Sequence, residues 1–188
     1  QDRPISESTL YQLAAVSRTF ELNMEESCYA LSTQLYGITP NVALANATDL
    51  ARNGHPEDGW KLITSAHAES REGDRIEWQL AIARFADIVR SPDAAGRWIK
   101  LADTYPDNLH VQKMVLDALS VQSDRQFVDR IIDRVRKMAG EKSVNWRLKR
   151  AAWLLQGNNI DNDTANAASI LEPVITESPD LLEARLLM

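Results

Sequence analysis

Trp78 and Trp146 stand 68 positions apart, twice 34, and each is followed seven places on by another aromatic, Phe85 and Trp153. Midway between them Gln112 and Leu119 fill the same two places. A fixed period of that length, carrying a residue pair at helical spacing, points to stacked helical hairpins. Each hairpin has an apolar face too small to be buried alone, so stability must come from its neighbours.

Apolar residues three and four apart mark ten complete helices and the start of an eleventh. Leu10, Leu13, Ala14, Val16 and Phe20 trace the first, and Cys28, Leu31 and Leu35 the second. The same spacing runs through Val111, Val115, Leu116 and Leu119 for the seventh, and Phe127, Ile131, Ile132 and Val135 for the eighth. Glycine and proline punctuate the series at Gly37, Pro40, Pro56, Pro106 and Gly140. Asn23 with Glu26, Asp74 with Glu77 and Ser123 with Gln126 have the form of capping boxes. Gly157 to Asp163 reads as a surface loop, and Pro173 should kink or restart the tenth helix. No strand-like alternation competes, so the expected fold class is all-α.

Composition narrows the function classes. Of 188 residues, 44% are hydrophobic and 26% charged, which suits a folded chain rather than a disordered one. A net charge of −6 argues against a general nucleic-acid binder. No apolar run approaches the roughly 18 residues that span a bilayer. Cys28 is the single cysteine, so no internal disulfide forms; cytoplasm and a bacterial periplasm both fit. The chain opens on Gln1, as a processed chain or a piece of a longer one would.

Ala94, Trp98, Leu101 and Pro106 recur in kind and spacing as Ala167, Leu171, Val174 and Pro179, and again as Val128, Ile132, Val135 and Gly140. With the 34-residue period, these residues resemble the second-helix pattern of the tetratricopeptide repeat. The resemblance covers nearly the whole chain and is strongest over 75–181. It places repeats at about 7–40, 41–74, 75–108, 109–142 and 143–181, with a sixth begun at 182–188. It implies a right-handed α-solenoid of antiparallel helix pairs. The sequence departs from the family at Ile82, Leu116 and Arg150, where glycine or alanine is usual, and at His67, Leu101, Val135 and Val174, at an alanine place. A less regular α-solenoid is the alternative.

An enzyme reading finds little. Cys28 lies on an apolar helix side, His55 in a turn and His67 at a packing place, with His110 the third histidine. No phosphate-cradling loop, zinc pair or nucleophile elbow is present. The expectation is therefore no catalytic residue, no metal and no cofactor. The acids of Glu25-Glu26 and Asp161/Asp163 read as caps or solvated surface. Asp133 is spaced to pair with Arg130 and Lys137 along the eighth helix.

The resemblance also implies that the first helix of each repeat lines a concave groove. Carried over place by place, the groove residues are Tyr11, Arg18, Asn46, Asp49, Arg52, Gln79, His110, Lys113, Asp117 and Arg147. Lys113 and Arg147 suit an acidic segment, because guanidinium groups meet carboxylates with two hydrogen bonds. The leading expectation is a protein–protein interaction scaffold holding a peptide or partner segment there. The alternative is a structural, self-associating segment of a larger bacterial envelope or polysaccharide-export protein, with copies meeting through the uncapped C-terminal helix. A helical enzyme domain is a third reading.

Overall fold

A computed structural model describes residues 5–70, 75–156 and 160–187. Those residues form eleven α-helices and no strand: α1 Glu7–Thr19, α2 Glu25–Tyr36, α3 Pro40–Arg52, α4 Pro56–Ala68, α5 Arg75–Ile88, α6 Ala94–Thr104, α7 Leu109–Asp117, α8 Arg125–Ala139, α9 Val144–Leu155, α10 Ile160–Glu177 and α11 Leu182–Leu186. Consecutive helices pack as pairs in α1 with α2, α3 with α4, α7 with α8 and α9 with α10. The chain divides into two compact units, one up to Arg97 and one from Trp98 onward.

Most punctuation acts where the residues place it. Pro40 and Pro56 open α3 and α4, and the Thr39 hydroxyl accepts from the Val42 amide at 3.3 Å. Gly37 and Gly140 end α2 and α8 at φ 78° and 86°, which L side chains rarely adopt. Three local expectations are corrected. Asn23 sits at φ 55°, outside the helix; Met24 precedes α2, and its amide donates to Ser17 Oγ at 2.8 Å. Asp124, not Ser123, caps α8, accepting from the Phe127 amide at 3.0 Å. Ile160 to Asp163 already belong to α10, whereas 157–159 and Asp74 of the third expected cap lie outside the described residues.

Pro173 neither ends nor restarts α10. An interior proline costs about 3 kcal/mol. Its neighbours Leu171 and Val174 are fully buried in the α9–α10–α11 core, each worth about 1.5–3 kcal/mol, so packing wins.

In the N-terminal unit the main core joins α3, α4 and α5: Ala43, Ala47, Ile63, Ala66, Trp78, Ala81, Ile82 and Phe85. Gly59 lets these helices close up, since a Cβ there would lie 2.7 Å from the Ala47 carbonyl oxygen and 2.6 Å from the Phe85 ring. Phe85 meets Trp60 edge-on at 4.9 Å. A smaller cluster of Ala14, Cys28 and Tyr29 holds α1 to α2. Leu13 and Val16, expected on the inner face of the first helix, are half-exposed, and Phe20 lies just past its end at 69% exposure.

In the C-terminal unit, Leu148, Ala151, Leu154, Ala167, Leu171, Val174 and Ala184 form the core of α9 to α11. Gln112 is fully buried, and its amide donates to the Ala102 and Tyr105 carbonyls at 2.9 Å each. It thereby satisfies carbonyls at the end of α6 that have no helical partner. The expected seventh helix stops two residues early. Ala118 turns extended, and a 3-10 turn over Leu119–Val121 follows. The Gln122 amide holds this break by donating to the Leu116 and Ala118 carbonyls at 2.9 and 3.2 Å. Leu119, expected on the inner face, is 81% exposed. Arg130 reaches Asp103 at 3.9 Å rather than its helix neighbour Asp133.

Candidate functional site

Four of the expected groove residues gather in one place. Tyr11 and Arg18 on α1 and Asp49 and Arg52 on α3 line a cavity of ≈ 410 Å³, with Tyr29 of α2 as its inner wall. The spacing brings them together: Tyr11 and Arg18 are seven apart on one side of α1, and Asp49 and Arg52 are three apart on α3.

Asp49 is the hub. Its carboxylate takes the Arg18 guanidinium at 2.5 and 2.7 Å and the Tyr29 hydroxyl at 2.7 Å, with Arg52 standing off at 3.7 Å. Arg18 also donates to the Tyr29 oxygen at 3.0 Å. Burial pushes the Tyr29 phenol up to about 12, and its bond to Asp49 adds to that. For Arg18, burial works against the charge, but the bond to Asp49 and its charge prevail, and the guanidinium is held more firmly protonated. At the other end, the Tyr11 hydroxyl and the Thr39 hydroxyl both donate to Glu7 Oε1 at 2.5 Å. Burial, then Glu7, raises the Tyr11 phenol.

Two guanidinium groups thus meet one carboxylate in the cavity. Arg52 is 55% exposed and only loosely tied, so it can turn to an incoming anion at little cost. Asn46 and Gln79, both half-buried, lie outside this cavity.

The remaining expected residues scatter over the C-terminal unit. Asp117 lines a second cavity of ≈ 390 Å³ between α7, α8 and α9, where it pairs with Lys149 at 2.5 Å. Lys113, His110 and Arg147 line neither cavity. The Arg147 guanidinium lies 5.9 Å from the Trp146 ring centre.

Sequence reasoning missed Tyr29, which sits on a second helix beside core Cys28, and Lys149. A signal existed. Arg18 and Asp49 are 31 apart, Glu7 and Thr39 32, Asp117 and Lys149 32, and Asp103 and Arg134 31. Polar partners slightly under one period apart link alternate helices, α1 to α3, α6 to α8 and α7 to α9.

Elsewhere, Cys28 is buried and His67 packs on Trp78 at 5.9 Å. Among the described residues no group of three His, Cys, Asp or Glu is placed to hold a metal ion, and no helix is long and apolar enough to cross a membrane. No family model, curated protein or solved structure matches the chain.

Proposed function

We propose that the chain is a non-enzymatic interaction module of tetratricopeptide-like helix pairs, stacked as a right-handed α-solenoid, and that it binds an acidic partner segment along its first helices. Support for the repeat comes from burial. Ala94, Trp98 and Leu101, Val128, Ile132 and Val135, and Ala167, Leu171 and Val174 are all under one-tenth exposed, as the second-helix pattern requires. The observation that carries the binding reading is the α1–α3 cavity, where Arg18 and Arg52 face the single carboxylate of Asp49 beneath two tyrosines. An excess cation in a concave, partly apolar setting suits a carboxylate side chain of an extended segment.

The test is fluorescence anisotropy with a labelled glutamate-rich peptide of about ten residues and its lysine counterpart. The acidic peptide is expected to bind, more weakly as salt rises, and Arg52→Glu to lower affinity by about tenfold. Equal binding of both peptides, or no change in Arg52→Glu, would overturn the reading.

A second reading, self-association of a structural repeat segment, is favoured by Leu182 and Leu186, 66% and 76% exposed on α11. Light scattering separates the two, since a concentration-independent monomer disfavours assembly.

A further inference from the structure

The cavity of the C-terminal unit lies beside the break in α7. Leu119 stands where the repeat places Phe85 and Trp153, yet the extended Ala118 swings it outward. What opens between α7, α8 and α9 has an apolar floor of Leu116, Val128 and Ile132 and a wall formed by Trp153. Leu119 is at its mouth. A space of ≈ 390 Å³ with such a lining takes a large apolar side chain rather than a salt bridge.

Charge around Trp153 says what accompanies that side chain. Arg125 stacks 4.4 Å from the Trp153 ring centre and Arg150 5.1 Å. Arg150 is paired with Asp129 and Lys149 with Asp117, but Arg125 has no carboxylate within ion-pair distance among the described residues. Among the described residues, three cations therefore gather with two carboxylates around this aromatic wall, in a chain whose overall charge is −6. A guanidinium over an indole is desolvated on one face and keeps its in-plane donors open to an anion.

We infer that this cavity is a docking site for a partner protein segment that inserts a leucine or aromatic side chain and places an Asp or Glu against Arg125. The site is separate from the α1–α3 cavity and does not depend on it.

Selection on the full chain from a phage-displayed random library of about twelve residues, depleted against a Leu119→Asp/Arg125→Glu double variant, tests this. Enriched sequences are expected to carry Leu, Phe or Trp within about four residues of Asp or Glu. Synthetic copies are expected to bind the double variant at least about tenfold more weakly, and the Arg18→Glu/Arg52→Glu variant as tightly as the parent chain. Both substituted side chains are exposed, so the double variant should keep its helical circular dichroism; Arg125→Glu alone serves if it does not. Absence of enrichment, enrichment of basic sequences, or undiminished binding to the variants of this cavity overturns the assignment. So does a dimer of the chain alone that Leu119→Asp dissolves, since a second copy would then occupy the cavity.

Discussion

In the N-terminal unit the aromatic pair of the repeat, Trp78 and Phe85, is completely buried against Ala43, Ala47 and Ala66. In the C-terminal unit the pair at the same places, Trp146 and Trp153, is only partly buried and is covered by arginines: Arg136 and Arg147 on the first, Arg125 and Arg150 on the second. The indole N–H groups differ likewise. That of Trp146 donates to the Gly140 carbonyl at 3.1 Å, while that of Trp78 is buried with no acceptor among the described residues. The period thus specifies which way a side chain leaves its helix, and the neighbours decide whether it meets alanines or guanidinium groups. Small residues on α3 and α4 make room for a core; arginines on α8 and α9 make a surface that an aromatic can share.

The largest effect should separate the two tryptophans. Trp78→Ala is expected to cost about 3–5 kcal/mol in urea unfolding. Trp146→Ala should cost only about 1 kcal/mol, the scale of a cation–π contact and a surface hydrogen bond. Comparable losses would erase the distinction. Trp78→Phe sharpens it, because it deletes an orphan donor together with some volume and should cost much less than Trp78→Ala.

Gly59→Ala attacks the reason the N-terminal core closes so tightly. Alanine gains about 1 kcal/mol of helix propensity. Its methyl would meet a backbone oxygen that cannot move aside cheaply, so a net loss of about 1–3 kcal/mol is expected. A variant as stable as the parent chain would mean that α3 and α4 are packed less closely than described.

Gln112→Leu examines the third copy of the place held by Trp78 and Trp146. It removes one donor from each of two carbonyls, which keep the Arg134 guanidinium and the Asn108 amide, so a loss of only about 1 kcal/mol is expected in the same unfolding measurement. A stabilised variant would show that an apolar residue suits this position better than the amide.

The smallest effect concerns pH. Folding raises the Tyr29 phenol from the ordinary 10.0 to about 12, so its protonated form is favoured in the folded chain. That contribution is fully present below pH 10 and is lost as pH rises toward 12. The stability of the parent chain should fall across that window, and Tyr29→Phe should flatten the dependence. An identical slope in both would remove Tyr29 from the account.

Particular residues show how much was readable in advance. The spacing of Ala167, Leu171 and Val174 foretold their common burial, because helical phase is a local property. Tyr11, Arg18, Asp49 and Arg52 came from the places that the resemblance to the tetratricopeptide repeat assigns to a groove, and they line one cavity. Tyr29 was not readable in this way, because its hydroxyl turns to Asp49, twenty residues away on another helix. The early end of α7 was equally hidden. Nothing in its own residues demands it, and it rests on the Gln122 side chain folding back to bond the carbonyls that a continuing helix would have used.

The all-helical class, most turn positions and the phase of helices such as α8 follow from the sequence alone, since each is settled by residues within a turn or two of one another. Which aromatic is sealed and which lies under arginines, and where cavities open, only the tertiary structure decides. Those outcomes depend on side chains that arrive from other helices, and whether a site fills or stays open is a property of volumes and charges brought together only by folding.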